Sequence, residues 1–436
     1  MRKQDNPYKL RTVVLESGER LPMLIRRRDG LPLYEPNLFA LTVMRAKNRA
    51  SSTLEQALRA VMVLCQTLDG LEIDLEERLS KGRVFESGEV DAILKAARLE
   101  LGELHESSAE QQAPSRTTPL KAVSLESVRM RARPDRLKEV QSNTTSIRIH
   151  YIKQYLEWLI QRQLLKLSPD DPIFSTLKGV GELVINALRE RAPRQAGRNS
   201  VDLPEGLSGG AVQRLLDVSD VDAVDNPWLS PHVKRRNSLM VNWFIKTGIR
   251  RGELANIKVS DIDFQRNEVL IARRADAKED PRRRQPLVKT NARTIPLSTV
   301  LAKQTHDYVT GPRRSINGAR KHGYLFVAEG TGAPLSLSAI NLVFANLRQS
   351  DEILETETLH PHILRHTWNG DFSEMADGQG WSDEVEKQMR TRAMGWADNS
   401  KMATVYTRRH VREKGRKVML DLQEQLEHPH NRENNN

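Results

Sequence analysis

Near the end of this chain, in MGWADNSKMATVYTRRH (residues 394–410), Tyr406 stands between a Gly-Trp pair and a cluster of arginines. A phenol with a pKa near 10 is a poor nucleophile unless neighbouring cations or a base favour the phenolate. From Tyr406 to Lys417 there are six Lys/Arg and one acid, and Arg408 and Arg409 follow at once. Two readings stay open on this stretch alone: a nucleophile facing a phosphate, or an aromatic packed on a helix.

Three upstream stretches carry residues that suit a phosphate. In KTGIRRGELANIKVSDID (246–263), Gly248 sits inside an otherwise helical, apolar-periodic run and allows the close approach of something. Arg250 and Glu253 are three apart and share a face, so the carboxylate can hold the guanidinium in one rotamer. The alternative is an ordinary surface ion pair worth under about 1 kcal/mol. In HPHILRHTW (360–368), Pro361 suits a first helical position and His362 falls in the first turn, where backbone N–H groups attract anions. Arg365 lies one turn on, on the same face. A phosphate donor, a core histidine and a zinc ligand paired with His366 are the competing readings for His362. Zinc is disfavoured, since the Glu of H-E-x-x-H is missing and no cysteine is near. No metal is expected.

LVKTNARTIPL (287–297) reads as two short strands around a turn, with Lys289 just before it. A lysine there is either solvated or pushed into a groove, where its ammonium can protonate a leaving alkoxide. From 273 to 293 there are eight Lys/Arg against three Asp/Glu. Arg273, Arg274, Arg282, Arg283 and Arg284, with Arg408 and Arg409, are candidate contacts to a phosphate backbone, which position without specifying sequence.

These residues need elements to hold them. At 436 residues the chain has room for two or three domains, and 68 Lys+Arg against 57 Asp+Glu give a net charge of +11, which points to nucleic acid ahead of a membrane surface. No apolar run of 18 residues appears, nor does the N-terminus have the apolar core of a secretory signal. The expected location is the cytoplasm, associated with the nucleoid, with no membrane partner. The single cysteine, Cys65, lies in the apolar run VMVLC and reads as buried and inert.

Residues 1–33 form a basic N-terminal arm or small edge element. Helical periods begin at SSTLEQALRAVMVLCQTLDG, with Ser51 or Ser52 at its start and Glu55 in the capping position, and recur at SGEVDAILKAARLELGELH, with Ser87 as cap. A third helix from about Thr144 to Leu165 has the stripe Ile147, Tyr151, Tyr155, Trp158 and Leu159. The stretch 106–119 reads as a flexible loop inside this domain, and the helical bundle spans 34–200. A second domain, 203–425, mixes helices with short strands at NEVLIARR, ARTIPL and YLFV, and 426–436 reads as a disordered tail. The fold class is mainly α with a small antiparallel β-sheet.

Taken together and in order, these motifs resemble the tyrosine recombinase family of phage integrase type. The resemblance rests on Thr247-Gly248-Ile249-Arg250 with Glu253-Leu254, on Lys289 in K-T-x-x-R-x-[IV]-P-L, on His362, Arg365 and His366 in H-x-x-R-H, and on Gly395-Trp396 followed by Tyr406. It implies a helical core-binding domain followed by an α+β catalytic domain, the two clamping double-stranded DNA. Tyr406 would then attack to form a 3′-phosphotyrosyl bond. Arg250, Arg365 and His362 would cradle the phosphate, with Lys289 as general acid and Trp396 packed on or donating to the phosphate. Glu253 and His366 would support them. The resemblance further implies no cofactor, and a homotetramer on two DNA sites, with accessory or co-encoded recombinase proteins as further partners. A type IB topoisomerase, a telomere resolvase and a catalytically inactive DNA-binding relative stand as alternatives. The chain departs from the family pattern in having Trp396 ten residues before the tyrosine and in a longer stretch, ADGQGWSDEV (376–385), after Arg365.

Overall fold

The structure, a computed structural model, describes residues 6–101, 137–193, 206–356, 358–397, 400, 415–424 and 426–427. The chain divides into two compact units, one of Met1–Leu15 with Arg20–Ser200 and one of Glu16–Glu19 with Val201–Asn436. The 106–119 loop lies outside the described residues, as do positions 428–436 of the expected tail.

In the first unit, strands β1 (Tyr8–Val14) and β2 (Arg20–Arg26) pair antiparallel, with Tyr8 opposite Arg26 and Val14 opposite Arg20. Strand β2 is buried along most of its length, and its Leu24 packs with Tyr8 against Leu58 and Met62. The Asn37 side chain bonds both backbone groups of Leu24, at 2.8 and 2.9 Å, and the Tyr8 hydroxyl donates to Asp69 at 2.6 Å. The stretch read as an arm therefore contains a hairpin fastened to the helices.

Those helices are α1 (Tyr34–Phe39), α2 (Ser51–Gly70), α3 (Leu75–Ser80), α4 (Ser87–Arg98), α5 (Ser142–Leu164) and α6 (Pro172–Glu190). Leu54, Val61 and Leu64 of α2, Ile93 of α4, Ile152 and Leu156 of α5 and Leu188 of α6 form one core. Three sequence readings shift by a residue or so. The cap of α2 is Ala50, without a side-chain bond, and Glu55 pairs with Arg59 at 2.8 Å instead of closing a capping box. The cap of α4 is Glu86, whose N–H is accepted by Glu89 at 2.8 Å, so Ser87 is already inside the helix. On α5 the buried row is Ile149, Ile152, Tyr155, Leu156 and Ile160, while Ile147, Tyr151, Trp158 and Leu159 lie at its margin. Cys65 is half-buried, and burial pushes its thiol up to about 12.

The second unit begins with α7 (Gly209–Ser219), capped by Ser208, and α8 (Pro231–Thr247), capped by Ser230 with Pro231 in its first turn. Glycine ends α8. Gly248 takes φ 59°, ψ 17°, so the helical run expected to continue through it stops there, and a short helix α9 (Arg251–Leu254) starts after Arg250. A three-stranded antiparallel sheet follows in the order β3 (Ile262–Asp263), β4 (Glu268–Ile271), β5 (Arg293–Pro296). NEVLIARR and ARTIPL thus hold strands, joined by the long connection 272–292. YLFV is no strand: Tyr324 and Val327 make isolated bridges to Lys258 and Pro334, and a proline cannot donate to extend a ladder.

Next come α10 (Thr299–Tyr308), α11 (Leu337–Ser350), α12 (Glu352–Thr356), α13 (Pro361–Gly378) and α14 (Asp383–Met394). Their apolar sides enclose Leu239, Trp243 and Phe244 of α8, Val269 of β4, Ile340 and Phe344 of α11 and Leu364 of α13. Burial of each such side chain contributes roughly 1.5–3 kcal/mol. Within ADGQGWSDEV, α13 runs on to Gly378, Gly380 turns the chain at φ 68°, and Trp381 packs edge-on against Phe372 at 6.1 Å. Residues 415–424 and 426–427 are helical.

Candidate active site

Four elements of the second unit meet: the end of α8 with α9, the loop before β5, the first turns of α13, and the turn after α14. Gly248 sets the first contact. Its positive φ presents the carbonyl to Arg365, whose Nη1 donates to it at 2.8 Å, and a Cβ at this position would lie 2.7 Å from Cγ of Trp368. The something whose close approach this glycine allows is the Trp368 ring.

Arg250 caps α9 and is itself held by Glu253, which accepts its backbone N–H at 2.8 Å. The Glu253 side chain is 1% exposed, whereas that of Arg250 is 25% exposed. Arg250 Nη1 lies 3.7 Å from Glu253 Oε1, inside ion-pair range but beyond hydrogen-bond range, and has no hydrogen-bond partner among the described residues. The surface-pair alternative is thereby excluded, because the carboxylate is in the core. Burial alone would push the Glu253 carboxyl up. Hydrogen bonding and charge from Arg293, the charge of Arg365 and the Thr290 hydroxyl outweigh it, and the carboxyl sits below its ordinary value.

Arg293 is the functional residue that sequence reasoning missed. Its side chain is 7% exposed, and its guanidinium grips Glu253 with both terminal nitrogens, at 3.2 and 3.1 Å. Nη1 also donates to Thr290 Oγ1 at 3.1 Å, and Nε to the Ala393 carbonyl at 2.7 Å. The signal was present in the sequence as the fixed arginine of K-T-x-x-R.

Lys289 is exposed between the buried Val288 and Thr290. Pro281 and Pro286 interrupt the segment before it, so it sits in an irregular loop four residues ahead of β5 and not at the tip of a tight hairpin. Its loop is tied to the core because Thr290 donates to Glu253 Oε1 at 2.5 Å.

On α13, Arg365 is 1% exposed and His362 points outward in the first turn. The rings of His362 and His366 meet edge-to-face at 4.8 Å. Among the described residues no group of three or more His, Cys, Asp or Glu is arranged to hold a metal ion. Arg365 also lies 5.6 Å from the Trp396 ring, a cation–π distance. Trp396 is reached through Gly395, whose φ of 64° ends α14, and this turn is sewn to the lysine loop by Asn291 N–H donating to the Gly395 carbonyl at 2.9 Å.

The structure thus brings Arg250, Glu253, Arg365 and Trp396 together with the Lys289 loop, and places His362 and His366 on the same helix as Arg365. Tyr406, Arg408 and Arg409 lie outside the described residues. Beside this cluster an open cleft of about 950 Å³ is lined by Asn291, Arg293, Lys387, Arg392 and Trp396.

The candidate backbone contacts separate into two groups. Arg273, Arg283 and Arg284 are exposed. Arg282 corrects the sequence reading: it is buried, paired with Asp280 at 2.8 Å, bonded to the carbonyls of Ala255 and Leu335, and stacked 4.4 Å from the centre of the Tyr324 ring. Its charge is spent inside the fold. Arg274 pairs with the buried carboxylate of Asp261 and is likewise engaged.

The sequence profile described as the phage integrase family matches residues 210–413, a span that includes every candidate catalytic position. Tyrosine recombinase XerC of Bacillus pumilus is 23% identical over 234 residues, covering 53% of this chain and 62% of that protein. Tyrosine recombinase XerH of Campylobacter jejuni is 28% identical over 174 residues, 40% of this chain and 42% of that one. The chain therefore spans less than two thirds of the length of these curated relatives. Among solved structures, XerH bound to a palindromic difH substrate in a post-cleavage complex is 14% identical, covers 78% of this chain and 85% of that chain, and superimposes with a TM-score of 0.39. The Tn1549 transposon integrase in complex with circular intermediate DNA is 15% identical, with 61% and 75% covered and a TM-score of 0.38. At these scores the assignment rests on the sequence match and on the motifs within it. Residues 210–413 match the phage integrase family, the tyrosine recombinases, and the motifs within that span agree with the match.

Proposed function

We propose that the protein is a site-specific DNA recombinase that breaks and rejoins strands through a 3′-phosphotyrosyl intermediate. The observation that carries this reading is the placement of Arg250 and Arg365 in one site: Arg250 Nη1, itself buried, lies 3.7 Å from the buried Glu253 carboxylate with no hydrogen-bond partner among the described residues, and Arg365 is bonded to the carbonyl of Gly248, two residues before Arg250. Two fixed cations at such a point suit the in-line transfer of a phosphoryl group, in which negative charge spreads over the non-bridging oxygens.

Tyr406 gives up its phenolic proton to solvent and attacks the scissile phosphate as the phenolate, and the O–P bond to the 5′ carbon's oxygen breaks. Lys289, exposed on a loop anchored through Thr290, gives its proton to that departing oxygen. His362 donates to a non-bridging oxygen from the first turn of α13, while Trp396 packs on Arg365 and fixes its plane. A 5′-hydroxyl of a second duplex reverses the step, so the energy of the phosphodiester is kept in the protein–DNA bond. The first unit serves as the core-binding domain, Arg273, Arg283 and Arg284 as contacts to the phosphate backbone, and a tetramer on two sites as the acting assembly. The protein works on DNA in the cytoplasm.

Nicked duplexes carrying the DNA that flanks the chain's own coding sequence test the proposal. Wild-type protein forms an adduct that survives denaturation, and Arg250→Ala and Arg365→Ala each lower its yield by about 10²–10³. No adduct from the wild type on any such duplex sinks the reading. Relaxation of supercoiled plasmid with no site preference moves it to a type IB topoisomerase.

A further inference from the structure

Arg293 is none of the candidate catalytic residues, yet its guanidinium links Glu253, Thr290 and Ala393. A carboxylate offers about four lone-pair sites. On Glu253, Oε1 accepts from Thr290 at 2.5 Å and Arg293 Nη1 at 3.2 Å, and Oε2 from the Arg250 backbone at 2.8 Å and Arg293 Nη2 at 3.1 Å. All four are taken. The guanidinium of Arg250, only 3.7 Å away, therefore finds no acceptor on Glu253.

We propose that Arg293 is a positioning residue that saturates Glu253 and so keeps the Arg250 guanidinium uncommitted for the DNA phosphate. Without it, a carboxylate 1% exposed would lose its bidentate partner and two of its four bonds, and the nearest cation able to replace them is Arg250. Arg250 would then close the remaining distance and be held in the core. The same guanidinium ties the Thr290 hydroxyl beside Lys289 to the Ala393 carbonyl in the last turn before Trp396. One side chain thereby fixes the phosphate-binding arginine, the loop of the general acid and the tryptophan turn in register. Gly395 is shaped around it, since a Cβ there would lie 2.8 Å from Arg293 Nη1 and 2.9 Å from its Cδ.

The inference rests on the recombinase reading, and the test separates the two. Full-length protein is mixed with the nicked duplex at single turnover, adduct formation is timed, and duplex affinity is measured by fluorescence anisotropy. Arg293→Met is expected to slow adduct formation by about 100-fold, the loss typical of one transition-state donor, with affinity nearly unchanged. Adding Glu253→Gln to Arg293→Met is expected to recover about tenfold, because a neutral amide does not trap Arg250 and the two substitutions are coupled. A merely structural role for Arg293 predicts the opposite, a double variant no faster than the single one, and that result overturns the inference. So does Arg293→Met cleaving at the wild-type rate. If Arg293→Met fails to fold by circular dichroism, Arg293→Lys carries the test. It keeps the charge but not the bidentate bond, so cleavage should fall and the added Glu253→Gln should again raise it. A wild type that forms no adduct removes the recombinase reading and this inference with it; an active wild type with no rescue removes the inference alone.

Discussion

Two glycines with nearly the same backbone allow the closeness of packing around the site to be weighed. Gly395 has φ 64° and Gly380 has φ 68°, but a Cβ on Gly380 meets nothing within 4 Å, whereas one on Gly395 meets Arg293 Nη1 at 2.8 Å, Arg293 Cδ at 2.9 Å and the Asn291 carbonyl at 3.0 Å. Left-handed backbone costs an alanine about 1–2 kcal/mol, and the lower entropy of the unfolded alanine chain returns about 0.4–1 kcal/mol in both variants. Gly380→Ala should therefore lose about 1 kcal/mol. Gly395→Ala carries the same backbone term plus overpacking of about 1–3 kcal/mol against a residue with no room to move. The difference between the two variants is the steric part alone. Urea unfolding followed by tryptophan fluorescence is suited to the measurement, since five of the six tryptophans, all except Trp158, belong to the second unit. Gly395→Ala should unfold at clearly lower urea and form no adduct, while Gly380→Ala keeps its activity. Equal losses of stability in the two variants would refute the packing argument.

The buried arginine of the basic loop should behave unlike its neighbours. Arg282→Met leaves Asp280, 3% exposed, without its counter-charge and should cost about 3–5 kcal/mol in the same urea assay. Arg283→Ala, fully on the surface, should change stability by less than about 0.5 kcal/mol and lower the salt slope of duplex binding by about one; the reverse ranking would contradict the burial pattern. A third prediction concerns acid. Although burial pushes up the Glu253 carboxyl, Arg293, Arg365 and Thr290 hold it below its ordinary value, so its stabilising contribution is present above the unfolded carboxylate pKa of about 4.3 and is lost as pH falls through the lower folded value. Glu253→Gln should accordingly flatten the decline of second-unit stability below about pH 4.3, and a decline as steep as that of the wild type would count against it.

The residues that sit on one helix were legible from spacing. Arg250 and Glu253, and His362 and Arg365, needed only the helical period and a proline at a first turn, and β4 and β5 needed only their β-branched residues. What lay beyond spacing was convergence across the chain. Arg293 reaches Glu253 across 40 residues and Ala393 across 100, and although K-T-x-x-R fixes an arginine at this place, strand spacing alone does not tell it from a solvated one. The Arg282–Arg284 run illustrates the same limit in reverse. Three adjacent arginines read as contacts to a phosphate backbone, but Asp280 two residues earlier and the Tyr324 ring draw the first of them inward. Gly248 was legible as a site of close approach, but the helix was expected to run on through it, although a glycine following Lys246 and Thr247 is also a stop signal for a helix. The one-residue shifts at α2 and α4 arose because serine favours the cap position on average, while here Ala50 and Glu86 precede it.

The proposed function stands on strand cleavage through the hydroxyl of Tyr406. The most direct test is to digest the covalent protein–DNA adduct with trypsin and nuclease and to locate the remaining nucleotide by mass spectrometry. The expected result is a nucleotide joined through its 3′ phosphate to Tyr406, and no adduct from Tyr406→Phe. A 5′ linkage, a nucleotide on any other residue, or an undiminished adduct from Tyr406→Phe would contradict it.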